Sequence, residues 1–322
     1  MGPLPDLSAV RDVAGLAWRP ATLGDVHAVV DLVNNCDRHD LEAVALSASE
    51  RVVQHRLEDV ELLGYWQRPS FDLRTDSMAL FDGGRLVAYA EVFKGRRADA
   101  HVHPDARGRG LGSALLRWTV EVSRARGRTL IGQTVLAGSD AAALLEASGY
   151  DRLYTSWVLD LPPAVQLASG PLPAGTSIEA LGPHHDRRAA YDVTEDAFNE
   201  WEGREPTSFE DWQAVTVLRP GFEPWQLQVA VEQGVDGAPT IVGAIFVVPA
   251  GDDAWVNAVA VRGDRRGRGL GRALLVAAIG AARARGLEGF GLGTNSRTGT
   301  LGLYEYVGMR VTQTWVHYAV EV

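Results

Sequence analysis

The hexapeptide RGRGLG occurs twice in this chain, at Arg107 to Gly112 and at Arg266 to Gly271. Each copy runs directly into an alanine- and leucine-rich stretch, SALLRW after the first and RALLVA after the second. The copies stand 159 residues apart, and the offset persists without a gap from Val102/Val261 to Gly149/Gly308, through a second shared tetrapeptide at Arg124 to Gly127 and Arg283 to Gly286. Solenoid units repeat every ~20 to 50 residues, so a period this long marks two whole domains in tandem.

Working outward, domain one is expected over residues 1–160, a proline- and glycine-rich linker over 161–176, and domain two over 177–322. In domain one a strand is predicted over Leu16–Arg19, a helix over Leu23–Asn35 from its stripe of Ala28, Val29, Leu32 and Val33, and a second helical stretch over Ala48–Leu62. The run MALFDGGRLVAYAEVF, Met78 to Phe93, reads as two strands around an Asp82-Gly83-Gly84 turn. A strand ending at Val102 feeds the first glycine loop. The helix beyond it places Leu111, Ala114, Leu115, Trp118 and Val122 on one face and stops at Gly127.

Domain two repeats the plan. A strand is predicted at Ser177–Ala180, helices over Asp186–Phe198 and Ser208–Val217, and strands over Gln226–Glu232, Ile241–Val248 and Trp255–Val261. The last strand delivers the second loop, and Leu270, Ala273, Leu274, Ala277, Ala278 and Ala281 make the face of a helix ending at Gly286. The expected fold class is α/β: two tandem domains, each a mixed, mostly antiparallel twisted sheet flanked by helices.

Composition bounds the partners. With 322 residues and 46% hydrophobic content, each domain is long enough to bury its own core. A net charge of −10 argues against nucleic acid, which demands a clustered basic surface. The single cysteine, Cys36, excludes an intramolecular disulfide and reads as a small buried apolar residue. The N-terminal stretch has no basic region followed by a continuous apolar core, and the longest apolar run, around Ala273 to Ala282, is about half a membrane span. A soluble, cytoplasmic protein is the expectation, with no membrane partner. His101 and His103 share a strand face, too little for a metal site, so no metal is expected.

Alternating arginine and glycine before a helix suits an anion. Glycines let the main chain approach, successive N–H groups converge, and the helix N-terminus adds a favourable dipole. Arg107, Arg109, Arg266 and Arg268 offer charge-assisted contacts, so the two loops, Arg107-Gly108-Arg109-Gly110-Leu111-Gly112 and Arg266-Gly267-Arg268-Gly269-Leu270-Gly271 with Arg272, read as pyrophosphate cradles. Neither has the Lys-Ser/Thr ending of a P-loop or the G-x-G-x-x-G spacing of a dinucleotide fold.

Both loops, with the residues before them, HVHPDARGRGLGSALL and AVAVRGDRRGRGLGRALL, resemble the acetyl-CoA pyrophosphate motif of the GNAT superfamily of N-acetyltransferases, V-x-P-x-x-R-G-x-G-x-G/A after a central strand. The segment NSRTGTLGLYEYVGM, Asn295 to Met309, is similar to that superfamily's next motif, an Asn followed by a helix bearing a Tyr. The tandem arrangement at this length resembles the mycothiol synthase type. The resemblance implies acetyl-CoA as acyl donor, bound by Val259, Ala260, Val261, the second loop and Asn295, and by Val102 and the first loop in domain one. It also implies Tyr304 as the acid that protonates the departing thiolate, with a main-chain N–H near Val259 to Val261 polarising the carbonyl. At the registers of Asn295 and Tyr304 domain one has Leu136 and Leu145, so it is expected to bind the donor and to lack the acid.

On the acceptor side, Trp255 and Asn257 lie on a central strand without a carboxylate, and the segment Glu195 to Trp212 holds seven carboxylates against Arg204. Glu195, Phe198 and Glu202 are the candidates there, with Trp201 and Trp212 as further aromatic faces for a cationic amine. His317 on the last strand is a second candidate base. Three readings stay open: acetyl transfer to a small-molecule amine, a protein N-acetyltransferase, and a non-catalytic acyl-CoA-binding or sensing module.

Overall fold

A computed structural model describes residues 15–44, 56–162, 165, 167, 170–201, 204–234 and 238–322. Elements appear along the chain as β1 (Ala17–Arg19), α1 (Val26–Val44), α2 (Asp59–Trp66), a one-turn helix at Leu73–Asp76, β2 (Ser77–Asp82), β3 (Arg85–Phe93), β4 (Arg97–Val102), α3 (Leu111–Ala125), β5 (Leu130–Leu136), α4 (Asp140–Ala147) and β6 (Asp151–Leu161). They continue as β7 (Thr176–Ala180), α5 (Arg187–Asn199), α6 (Phe209–Val215), β8 (Leu227–Gln233), β9 (Pro239–Ala250), β10 (Asp253–Val261), α7 (Leu270–Arg283), β11 (Gly289–Asn295), α8 (Leu301–Tyr306) and β12 (Arg310–Glu321).

The chain divides into two compact units that do not coincide with a single cut. Unit one takes the described residues before residue 45, Leu57–Ser156 and also Gln313–Val322, whereas unit two takes Trp157–Thr312. In unit one the strands run β1-β2-β3-β4-β5-β12. All neighbours are antiparallel except β4 and β5. The last strand lies along β5 from Trp315↔Leu136 to Glu321↔Leu130. In unit two the order is β6-β11-β10-β9-β8-β7, with β10 and β11 parallel and the β10–β9, β9–β8 and β8–β7 pairs antiparallel.

Each sheet is covered on both faces. In unit one Leu111, Leu115, Trp118 and Val122 of α3 pack on Met78, Leu80, Val92 and Ile131, as the predicted helix face requires. On the opposite face Val29, Leu32 and Cys36 of α1 meet Leu62, Trp66 and Tyr89. In unit two α7 buries Leu270, Leu274, Leu275, Ala278, Ile279 and Ala282, a face rotated from the predicted one because Leu275 and Ile279 displace Ala273, Ala277 and Ala281. The other face seats Ala190 and Val193 of α5 and Trp212 of α6 against Val229, Phe246 and Val248. Of the linker, Val165 and Leu167 pack against the unit-two core.

Two predicted boundaries shift. The first helix begins only at Val26, after a 3₁₀ turn at Leu23–Asp25 closed by a reciprocal Thr22/Asp25 capping box, and it continues nine residues past Asn35 to Val44. The polar run beyond Asn35 ends the apolar stripe without ending the helix, and Asp40 within it has a partner in the first glycine loop. The second predicted helix falls partly outside the described residues, and its described portion is α2.

Candidate active site

β10 and β11 pair only from Asp253↔Gly289 to Val256↔Leu292, and then part. At the parting point β10 carries a bulge between Val256 and Ala258, which turns Asn257 outward. Beyond it β10 stays paired with β9, where Arg262 N–H donates to the Val242 carbonyl at 2.9 Å. Antiparallel alternation then aims the main-chain N–H groups of Val259 and Val261 away from β9, into the gap left by β11. A cleft of about 790 Å³ occupies this gap, lined by Asn257 to Val261, the second glycine loop, Leu292 to Asn295, Tyr304 and the end of α5.

The glycine loop forms the floor. Gly267 and Gly269 have φ of +74° and +81°, left-handed values that a side chain resists. Open space surrounds the place a Cβ would take on each, so the strain is in the backbone and not in packing. Gly269 is the N-cap of α7 and no side chain caps that end, which leaves the first turn's N–H groups facing the cleft. Arg272 Nε is buried without a hydrogen-bond partner in the same wall. Orphaned donors around a glycine cradle fit a pyrophosphate: the chemistry of the site matches the acyl-CoA expected from sequence.

Arg266 does something else. Its Nε donates to the Val261 carbonyl at 3.0 Å, and its two terminal nitrogens hold Glu200 at 2.7 and 2.8 Å. The residue clamps the loop to the strand it follows and to the end of α5. Arg268 lines no part of the cleft and has no ion pair among the described residues. Arg265 is held by Glu232 and Asp264.

Tyr304 is buried, with 6% of its surface exposed, on α8 at the cleft wall. Burial pushes its phenol above the ordinary value, and the Thr300 hydroxyl pulls it back. Thr294, Thr298 and Thr300, which the sequence reading did not single out, bring three hydroxyls together on the same cleft wall. Tyr306 is 79% exposed and belongs to the opposite face. Asn295 lines the cleft, but its Oδ1 accepts the Arg297 N–H at 3.1 Å and so closes a local turn. The N-cap position of α8 is Thr300, not Asn295.

The acceptor-side candidates separate. Phe198 and Asn257 line the cleft, and Phe198 meets Trp201 edge-on at 4.8 Å. Glu195 does not reach it: the carboxylate is buried, paired with Arg204 at 2.7 Å, and accepts the Thr207 N–H. Trp255 packs against the core on the other face, and Trp212 is core, stacked on Phe209. Glu202 lies outside the described residues. His317 belongs to unit one, stacked on Tyr154 at 4.5 Å and bonded to Thr134 at 3.0 Å. Among the described residues the cleft wall carries one carboxylate, Glu200, with Arg204, Arg265, Arg266 and Arg272.

In unit one the first loop has the same backbone, with φ of +74° at Gly108 and +79° at Gly110. Arg107 repeats the clamp: Nε to the Val102 carbonyl at 3.2 Å and the guanidinium to Asp40 at 2.5 and 3.0 Å. Arg109 is tied to Asp82 at 2.8 Å. The Cβ that Gly112 lacks would sit 2.8 Å from Leu144 of α4, whereas at Gly271 the nearest atom is 3.9 Å away. Leu111 is core, and Leu136 and Leu145 are buried.

One His/Glu group of metal-ligating composition occurs among the described residues, Glu179 with His184 and His185. The Gly182 N–H donates to His185 Nδ1 at 2.9 Å, so the ring proton is on Nε2, 3.5 Å from Glu179, and that nitrogen is no ligand. Glu179 and His185 stand 160 positions on from the Arg19–Asp25 pair of unit one, and like that pair they tie the first strand to the turn that precedes the first helix.

A strand pair that parts over a glycine-capped helix N-terminus, with exposed main-chain N–H groups and a buried phenol at the gap, defines an α/β acyltransferase. The family model for the acetyltransferase (GNAT) family matches residues 42–150 and 187–309. The chain belongs to that family and is an acetyltransferase; acetyl-CoA is the family's acyl donor. It is similar to the mycothiol acetyltransferase of Thermobispora bispora, 30% identical over 241 residues that cover 72% of this chain and 79% of that one. The mycothiol acetyltransferase of Beutenbergia cavernae is 28% identical, covering 87% and 96%. Among solved structures, a GCN5-related N-acetyltransferase from Sphaerobacter thermophilus matches with a TM-score of 0.69 at 27% identity, covering 99% of this chain and 97% of that one. A tandem GNAT protein from the clavulanic acid biosynthesis pathway shares the fold, with a TM-score of 0.66 at 19% identity, covering 95% and 98%. Among the described residues no helix is long and apolar enough to cross a membrane.

Proposed function

We propose that this chain transfers an acetyl group from acetyl-CoA directly to a primary amine of a small molecule, in the cleft of unit two. The observation that carries this is convergence: the cradle, the parted strand with its two free-facing N–H groups and Tyr304 all line one cleft. Bound acetyl-CoA supplies an activated thioester. The N–H groups of Leu270, Gly271 and Arg272 hold its pyrophosphate, and the N–H of Val259 or Val261 stabilises the negative charge that develops on the acyl oxygen. Tyr304, kept protonated by burial, donates to the departing thiolate.

The small-molecule reading draws on the mycothiol acetyltransferases to which the chain is similar, and on a cleft whose acceptor end offers Phe198, Trp201 and Asn257. Domain one, residues 1–160, is read as a donor-binding copy without the acid, and residues 177–322 as the catalytic copy. A cytoplasmic location is part of the same proposal. The test is thiol release from acetyl-CoA across aminoglycosides, cysteinyl pseudodisaccharides, polyamines and peptides. Turnover with a small amine supports the reading; turnover with peptides alone, or tight acetyl-CoA binding without turnover, contradicts it.

A further inference from the structure

A second phrase is repeated ahead of the glycine loops, RPSFD at Arg68 to Asp72 and RPGFE at Arg219 to Glu223. The two turns are built alike. In unit one the Arg68 N–H donates to the Tyr65 carbonyl at 3.4 Å and the Phe71 N–H to the Arg68 carbonyl at 3.0 Å. In unit two the Arg219 N–H donates to the Thr216 carbonyl at 3.3 Å and the Phe222 N–H to the Arg219 carbonyl at 3.2 Å. Only the arginine side chains fare differently.

Arg68 donates from Nε to the Tyr65 carbonyl at 2.9 Å and lies over the Phe93 ring, 4.0 Å from its centre. Glu91, two residues back along β3, shares that face of the sheet and accepts from the Tyr89 hydroxyl at 2.6 Å and the Trp66 indole at 3.1 Å. Burial and the Asp99 charge push the Glu91 carboxyl up, and the Tyr89 hydroxyl and the Arg68 guanidinium pull it back. Unit one thus supplies the counter-charge for its own arginine.

Unit two does not. The Arg262 N–H bonds the Val242 carbonyl as the His103 N–H bonds that of Val87, which sets β9 in register with β3. Glu91 then corresponds to Phe246 and Tyr89 to Ala244, while Trp66 corresponds to Val217, 151 positions on like the arginine itself. All three replacements are apolar and buried. Arg219 has stayed, 8% exposed, with its Nε buried. Its side chain has no hydrogen bond, ion pair or ring contact among the described residues. A guanidinium keeps its charge throughout the physiological range, and leaving one desolvated and unpaired is strongly unfavourable. Val217 and Phe222, on either side of it, belong to the apolar cluster that holds Phe246, Trp255 and Ala258. Ala258 is the cross-strand neighbour of Phe246 and lines the cleft, so the arginine turn belongs to the layer behind the acceptor wall.

We propose that Arg219 is an anion receptor on the acceptor side of unit two, and that the amine acetylated there carries a carboxylate, which supplies the counter-charge that Glu91 gives Arg68 in unit one. The planar fork of a guanidinium suits a carboxylate, and a charge-assisted pair in a dry site discriminates strongly against an acceptor that lacks it. The inference rests on the reading of the unit-two cleft as the site of amine acetylation.

The test compares thiol release from acetyl-CoA for amino acids and for the amines that lack only their carboxylate, such as phenylalanine against phenethylamine. In the full chain kcat/KM should favour the amino acid by about tenfold or more, and Arg219→Met should bring the ratio close to one by lowering the amino acid's value. A preference that survives Arg219→Met, or an acceptor without a carboxylate used ahead of every amino acid, overturns the inference. Folding gives a readout that needs no turnover. Arg219→Met removes a buried charge without a partner and should raise Tm, whereas Arg68→Met strips Glu91 of its cation and should lower it. N-acetylphenylalanine, of the product class, should raise the Tm of the parent chain and not that of Arg219→Met. A lowered Tm in Arg219→Met would reveal a partner within the chain, Glu202 included, and overturn the inference. No turnover with any amine would instead sink the acetyl-transfer reading, on which the Tm comparison of the two arginines does not depend.

Discussion

Arg107 and Arg266 occupy the same place in the two glycine loops and make the same two contacts, one with the final carbonyl of the central strand and one with an acid from the first helical segment. Asp40 and Glu200, those acids, are 160 positions apart, so the clamp was duplicated with the loop it holds. Around this shared frame the units differ in what faces the parted strands. Unit two presents Tyr304, Thr294, Thr300 and Arg272; unit one presents Leu145, Val135, Ala141 and Ser113 at the same registers, while Ser139 keeps the hydroxyl of Thr298. The comparison teaches that an anion cradle at a helix N-terminus is built from backbone, which both loops keep, whereas the proposed proton transfer needs particular side chains, which the two units do not share.

The largest expected effect separates the units by chemistry. Tyr304→Phe should lower turnover roughly 10²-fold, with acetyl-CoA affinity measured by calorimetry almost unchanged. The reciprocal Leu145→Tyr should create no activity in that background, since Leu145 is fully buried in an apolar cluster; recovered turnover would break the comparison.

Next in size is Arg272→Met. The buried Nε without a partner predicts a donor site weakened about tenfold when its charge is removed, and Ser113→Arg in unit one has no such orphaned position to fill and should leave binding unchanged. Smaller again are the clamps. Asp40 and Arg107 are 20% and 24% exposed, Glu200 and Arg266 52% and 45%. Asp40→Asn should therefore destabilise its unit by about 1 kcal/mol in urea unfolding, and Glu200→Gln by less than ~0.5 kcal/mol, because water screens the second pair.

The smallest effect is one of pH. The Arg19 guanidinium, with help from Thr22, holds the Asp25 carboxyl down at about 2, below its ordinary 3.8. Its contribution to unit one is complete above the unfolded value near 3.8 and is lost as pH falls toward 2. Asp25→Asn should flatten that limb of the melting-temperature profile between pH 4 and 2. An unchanged slope would show that the pair does not couple to folding.

Much of this was legible in the sequence because glycine advertises backbone geometry. Positive φ at Gly108, Gly110, Gly267 and Gly269 admits few other residues, so the loops stayed recognisable, and the gapless register exposed Tyr304 against Leu145. Partnerships were not legible. Glu195 reads as an available carboxylate until Arg204 is found on it, and Arg266 reads as a phosphate ligand until Glu200 is found beside it. Thr294 and Thr300 are unremarkable residues in a polar turn; comparing that turn with Val135 and Ala141 in register would have flagged them. The last strand's place beside β5 was also hidden, because an alternating strand carries no mark of which sheet it completes.

The central claim is that the cradle was duplicated and the chemistry was not. Gly267→Val and Gly108→Val each force a β-branched residue into left-handed backbone of one loop, and acetyl-CoA calorimetry with steady-state turnover reads both consequences. Two binding events are expected in the parent chain; Gly267→Val should remove one of them together with turnover, and Gly108→Val should remove the other and leave turnover intact. A Gly267→Val chain that still turns over, or a folded Gly108→Val chain that does not, would contradict the account.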